Sequence, residues 1–112
     1  MTQNKNKIIE LFISNLSNAI VHYILEKAID FEGLAEKYRK ELINSFEIAK
    51  AYRNKINPTD KPLLTDLTII KEKLEKRVNN ELKLRISRGY KNINLSLVKP
   101  EIERVLKELH VT

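Results

Sequence analysis

Residues 11–25, LFISNLSNAIVHYIL, decide the fold because they contain no charged side chain and place apolar residues at helical spacing. Around them, the pattern predicts a helix over residues 5–28 with one broad apolar stripe. The stripe consists of Ile9, Phe12, Ile13, Leu16, Ala19, Ile20, Tyr23 and Ile24. The opposite side carries Leu11, Leu25 and Ile29 among uncharged polar residues. Because a solvent-facing side normally carries Lys and Glu, this helix is predicted to be buried on both sides, either centrally or at a subunit contact.

The charge-poor side of this first helix is a candidate oligomer interface. Its members recur along the helix and are Leu11, Asn15, Asn18, His22 and Leu25. His22 is expected to be a hydrogen-bonded residue at that interface. The pattern supports one hypothesis for function, a structural scaffold or oligomerisation protein that forms a homo-oligomer through the first helix.

Two further long helices follow. The second is predicted to begin near Asp30, which can cap it, and to end before Pro58. Its apolar stripe is expected to comprise Leu34, Tyr38, Leu42, Ser45, Ala49, Tyr52 and Ile56. The third helix is predicted to begin between Asp60 and Asp66 and to close at Gly89, a residue suited to a left-handed C-cap. Its stripe consists of Leu67, Ile70, Leu74, Val78 and Leu82.

The C-terminal segment has a different pattern. Apolar and polar residues alternate over residues 93–98, which predicts an extended segment or a very short strand. A short helix then starts near Pro100. Its predicted buried side consists of Ile102, Val105, Leu106 and Leu109. Residues 1–112 are therefore predicted to form a single all-α domain, an antiparallel helical bundle of three long helices plus a short C-terminal helix.

The composition predicts a well-ordered protein inside the cell. Of the 112 residues, 42% are hydrophobic and 32% are charged, which is not the composition of a disordered chain. Cysteine is absent, which excludes disulfide frameworks, thiolate nucleophiles and cysteine-based zinc sites. Polar residues interrupt the apolar stretch over residues 11–25, so the sequence predicts no transmembrane segment and a cytoplasmic location.

The chain is basic, with a formal net charge of +6, and the excess lies mainly in its second half. Residues 58–92 contain nine basic and five acidic residues, whereas residues 93–112 are neutral overall. This bias indicates a nucleic acid, an acidic protein or an anionic membrane surface as a partner.

Much of this charge is predicted to form one surface on the third helix and the turn after it. The candidate binding residues are Lys73, Lys76, Arg77, Asn80, Lys83, Arg88, Tyr90 and Lys91. Lys and Arg spaced along a helix can follow a phosphate backbone, and Tyr90 can stack on a base. The alternative is that the lysines only solvate an exposed helix and that Tyr90 packs against the preceding turn. The leading hypothesis is a nonenzymatic helical interaction module that contacts nucleic acid or an acidic protein through this surface.

The sequence predicts no enzyme, no metal site and no cofactor. The two histidines, His22 and His110, lack the spacing of metal ligands, and His110 is expected to be a frayed terminal residue. The spacing of the carboxylates singles out no pair as general acid and base.

Arg53 and Asn54, in the stretch YRNKINP, resemble the Arg-Asn-containing motif of the HEPN helical ribonucleases. That family places a histidine a few residues downstream, whereas Asn57 and Pro58 stand there in this chain. The resemblance implies a degenerate, RNA-associated protein with a binding or antitoxin-like role. The alternative is that Arg53 and Asn54 belong only to a helix end and its surface.

Overall fold

Helices make up most of the chain that the computed structural model describes, residues 5–29, 32–55, 64–109 and 111. They are α1 (Lys5–Ala28), α2 (Glu32–Arg53), α3 (Leu64–Ser87) and α4 (Val98–Glu108), and a 3-10 turn at Leu95–Leu97 precedes α4. The helices pack against one another, and the described residues include no strand. The predicted all-α bundle of three long helices and a short C-terminal helix is therefore confirmed.

The first helix, α1, has the predicted bounds and lies at the centre of the fold. It contacts α2, α3 and α4. Its fully buried large side chains are Phe12, Ile13, Leu16, Ile20, Ile24 and Leu25. Full burial of a large apolar side chain stabilises the folded state by about 1.5–3 kcal/mol before conformational entropy is subtracted. The central position of α1 accounts for the burial of its stripe and of Leu25 on the opposite side. The prediction of burial on both sides holds only in part, because Leu11 and Asn15 are half-buried and Asn18 is exposed.

By length and composition alone, Lys7–Ala28 is the one segment among the described residues that could cross a membrane. In the bundle, 56% of its most apolar part is buried against the rest of the chain. A core helix passes the same test of length and composition. The absence of a transmembrane segment stays a prediction.

The second helix, α2, packs on α1 through a sector rotated from the predicted stripe. Tyr38 and Ala49 are buried as expected, but Leu34 is 38% exposed. Its neighbour Ala35 is buried instead. Two of the buried side chains of α2, Ala35 and Ala49, are small, so the buried sector does not follow side-chain size. Several predicted features of the helix boundaries lie outside the described residues, namely Asp30, Ile56, Pro58 and Asp60.

The third helix, α3, buries its predicted stripe and ends in the predicted glycine cap. The fully buried members are Ile70, Leu74, Val78 and Leu82, and Leu67 packs against them partly buried. Gly89 has a φ of 100°, in the left-handed region. Its N–H donates to the Ile86 carbonyl at 3.0 Å. The Tyr90 N–H donates to the Arg85 carbonyl at 3.1 Å, and these are the two hydrogen bonds of a Schellman motif.

The prediction of an extended segment or short strand at 93–98 is wrong from Leu95 onward, where a 3-10 turn leads into α4, whereas Asn94 has extended backbone angles. The Asn94 side chain accepts hydrogen bonds from the backbone N–H and the hydroxyl of Ser96, at 3.0 and 2.6 Å. Local bonds of this kind compete with extended structure, and here they cap the 3-10 turn that leads into α4. Pro100 lies in the first turn of α4 as predicted. The buried side of α4 is also confirmed, with Ile102, Val105, Leu106 and Leu109 in the core.

Candidate functional site

The α1 residue Glu10 partly neutralises one end of the predicted basic surface. Lys73 forms an ion pair with one oxygen of the Glu10 carboxylate, and Arg77 Nη2 lies 2.8 Å from the other oxygen. The hydrogen bond from Lys73 lowers the pKa of Glu10, so this carboxylate is charged at neutral pH. Lys73 and Arg77 therefore share a counterion that α1 supplies.

The rest of the predicted surface carries free charge. Four cations on α3 and the following turn are exposed and form no ion pair among the described residues, and we call them the basic ridge: Lys76, Lys83, Arg88 and Lys91. Asn80 is exposed between Lys76 and Lys83 on the same side of α3. At 1.5 Å per residue, these two lysines are about 10 Å apart along the helix, roughly the rise of three nucleotides in one strand of duplex DNA.

Tyr90 packs against the helix end that precedes it. The Arg85 guanidinium lies over its ring, 5.4 Å from the centroid. The Tyr90 hydroxyl is 3.5 Å from the Tyr38 hydroxyl of α2, and the residue is 37% exposed. These contacts match the alternative in which Tyr90 belongs to the cap, and they leave only part of the ring available for stacking.

A groove of about 370 Å³ runs between α1 and α3 beside the basic ridge. The α1 wall consists of Ser14, Ser17, Asn18 and Val21. The α3 wall consists of Arg77, Asn80, Glu81, Leu84 and Arg85. The groove thus brings together Asn18, predicted at an oligomer interface, and Asn80, predicted on the binding surface. Sequence reasoning missed it, although the uncharged polar residues of α1 were a signal of an unusual surface.

The residues of the predicted oligomer interface on α1 differ in their exposure to solvent. Leu25 is 0% exposed within the chain's own core, so it must be removed from any interface between copies. Leu11 and Asn15 are half-buried, and the Asn15 amide donates to the Leu11 carbonyl at 2.8 Å. Asn18 is exposed. The part of the predicted interface that remains accessible is therefore small and mainly polar.

His22 joins α1 to α2 within one chain. Its Nε2 lies 2.9 Å from Glu41 Oε2, and its ring stacks on Tyr38 with centroids 5.7 Å apart. Burial lowers the pKa of His22, while the negative charges of Glu41 and Glu81 oppose that shift and Arg85 reinforces it. His22 thus lies within ion-pair distance of a residue on the neighbouring helix of its own chain, and its predicted place at an interface between copies stays a prediction.

This lowered pKa predicts a pH dependence of stability. An unfolded histidine has a pKa of about 6.5, so the unfolded state takes up more protons as the pH falls below about 7.5. We expect the melting temperature to fall between about pH 7.5 and pH 5.5, and His22→Gln to reduce that slope. Thermal unfolding followed by circular dichroism at several pH values measures the slope of melting temperature against pH, with His110→Gln as the matched control. An unchanged slope in His22→Gln would contradict the prediction.

Arg53, the first residue of the HEPN-like pair, is buried at the end of α2. It is 6% exposed, and its Nε donates to the Leu109 carbonyl at the end of α4, 3.1 Å away. Burial lowers the pKa of the guanidinium. Asn54 is exposed, as the alternative of a surface at a helix end expects. Arg53 itself departs from that alternative, because it links two helix ends inside the fold.

The burial of a second charged residue, Glu101, is explained by its ion pair with a residue of the same helix. Glu101 is 5% exposed, and Arg104 Nη2 donates to its Oε2 at 3.0 Å. The Arg104 guanidinium also lies over the Tyr23 ring, 5.5 Å from the centroid. The sequence did not single out this pair. Its contacts tie α4 to α1 and account for the buried carboxylate without a ligand.

Among the residues that the structure describes, no group of three His, Asp or Glu side chains could hold a metal ion. His110 lies outside them. Comparison with known proteins supplies no further guide, because no family model, curated protein or solved structure matches the chain significantly.

Proposed function

We propose that this chain is a nonenzymatic helical module that binds nucleic acid through the basic ridge. The proposal rests on one observation, namely that the paired and the unpaired cations of α3 lie on different sides of the helix. Lys73 and Arg77 on one side share Glu10, and Lys71 pairs with Glu103 of α4 on the other. The ridge between them keeps its cations exposed and unpaired among the described residues.

A regular polyanion fits this arrangement better than an acidic protein does. Lys76 and Lys83 follow one line along a rigid helix, and Arg88 and Lys91 continue the positive charge past the Gly89 turn. Phosphates recur at fixed intervals along a strand, so several can be neutralised at once without a specific surface shape. Asn80, between the two lysines, adds an uncharged donor and acceptor.

Charge reversal on the ridge tests this proposal. The variant Lys76→Glu, Lys83→Glu, Arg88→Glu is expected to weaken binding of a fluorescein-labelled oligonucleotide by more than about tenfold at low salt. For the wild type, release of about four counterions predicts a slope near −3 to −4 when log affinity is plotted against log salt concentration. The variant should bring that slope close to zero. Fluorescence anisotropy over a salt series measures both quantities.

A control with the same net charge separates a local site from a general effect of charge. Lys37→Glu, Lys50→Glu, Lys107→Glu changes exposed lysines on α2 and α4 that form no ion pair among the described residues. This control is expected to retain most of the wild-type slope. Wild-type binding that does not depend on salt concentration, or an equal loss of affinity in both variants, would contradict the proposal. Competition by polyglutamate as effective as that by the oligonucleotide would instead favour an acidic protein partner.

A further inference from the structure

The groove between α1 and α3 offers hydrogen-bonding groups that the fold does not use. The side chains of Asn18 and Asn80 face it from opposite walls, are exposed and make no hydrogen bond within the described structure. Asn15, one turn before Asn18, is different because its amide is bound to the Leu11 carbonyl. Two free amides, each with a donor and an acceptor, therefore lie at one groove.

The charged side chains that line this groove are engaged in ion pairs, although Arg77 shares its carboxylate with Lys73. Arg77 is paired with Glu10, and Arg85 Nε lies 3.1 Å from Glu81 Oε1. Val21 is buried, while Leu84 is 43% exposed and contributes an apolar surface. A volume of about 370 Å³ is in the range of small-ligand sites. Two free amides, an apolar wall and charged side chains that are already in ion pairs suit a flat, neutral group with a hydrogen-bonding edge.

Asn80 connects the groove to the basic ridge. Along α3 it lies four residues after Lys76 and three residues before Lys83, so the three side chains share one side of the helix. Arg88 follows Leu84 by four residues and extends the α3 wall past the helix end. A strand whose phosphates contact Lys76 and Lys83 therefore places the intervening bases next to Asn80.

We infer that the groove accepts an unpaired nucleobase from a single strand that lies on the basic ridge, an inference that rests on the proposed function. In a duplex the bases are stacked and paired, and flipping one out costs free energy, so a base from a single strand enters such a groove most readily. Asparagine amides suit adenine, which offers a matching acceptor and donor on one edge. Single-stranded, adenine-containing nucleic acid is thus the ligand class that this site selects.

An abasic strand tests the inference without any change in the protein. Wild-type chain is titrated into labelled twelve-residue oligo-dA and into an abasic strand of the same length and charge, and anisotropy is recorded. Because contacts to one base contribute a factor of roughly ten in affinity, oligo-dA should bind about tenfold more tightly. A matching duplex should bind no better than the abasic strand does.

Variants of the two asparagines test whether their amides cause the preference for oligo-dA over the abasic strand. Asn18→Leu and Asn80→Leu keep similar side-chain size but remove hydrogen bonding, and both positions are exposed, so the fold should persist by circular dichroism. Each should reduce the preference for oligo-dA to about threefold or less, and Asn18→Leu, on the α1 wall, should leave abasic binding unchanged, while Asn44→Leu on α2 should retain the full preference. If no strand binds, the proposed function fails; if oligo-dA and the abasic strand bind equally, or both amide variants keep the preference, only the groove inference is overturned.

Discussion

Leu25→Glu is expected to unfold the chain rather than to separate copies of it. Leu25 is 0% exposed in the core of α1, and a carboxylate placed there would lose its hydration without gaining a partner. We expect a loss of more than about 4 kcal/mol in the free energy of unfolding, a large part of the 5–15 kcal/mol that holds a typical domain together. Urea unfolding followed by circular dichroism measures this loss.

The companion variant Leu11→Glu tests self-association through α1 with less damage to the core, because Leu11 is only half-buried. It should remain folded, with a much smaller loss of stability than Leu25→Glu. If α1 joins copies of the chain, wild type should sediment as an oligomer and Leu11→Glu should shift toward the monomer. A wild type that stays monomeric at every concentration would contradict the scaffold hypothesis, and a fully folded Leu25→Glu would contradict the placement of that residue.

Arg53→Met is expected to lower stability by about 1–3 kcal/mol, because the substitution keeps the aliphatic packing and removes the donor to a buried backbone acceptor. The acceptor is the Leu109 carbonyl at the end of α4. The substitution should therefore weaken the packing between α2 and α4. Differential scanning calorimetry should record a lower melting temperature by several degrees. Asn54→Ala, at the exposed neighbouring position, should change stability by no more than about 0.5 kcal/mol.

The same variants discriminate a structural role from an HEPN-like catalytic one. A structural Arg53 predicts that purified wild type does not cleave RNA and that Arg53→Met changes only stability. RNA cleavage by the wild type that Arg53→Met abolishes, with an unchanged melting temperature, would instead support the enzyme. The burial of Arg53 and its bond to Leu109 favour the structural role.

The helices that the sequence defines best are those whose apolar stripes are long and regular. The bounds of α1 and the buried stripe of α3 follow directly from spacing, and the Gly89 cap follows from the need for a left-handed residue. The buried sector of α2 was harder to predict because periodicity gives weight to a large residue such as Leu34. The fold buries the small Ala35 and leaves Leu34 exposed.

The site was less predictable because its properties depend on distant parts of the chain. Lys73 and Arg77 gain a counterion from Glu10 only through the packing of α1 against α3. The alternating pattern at 93–98 resembles a strand, and the side-chain bonds of Asn94 that override it are short-range details. The groove, likewise, exists only after two helices are placed side by side.

The ion pairs of Glu10 make the charge of α3 a joint property of two helices. The net contribution of Glu10, Lys73 and Arg77 is a single positive charge, although α3 alone supplies two. A substitution of Glu10 by a neutral residue would leave both cations without this counterion and would alter no residue of the basic ridge. Under the proposed function, a change at Glu10 would therefore alter the attraction of the chain for polyanions without changing any residue that is proposed to contact the nucleic acid.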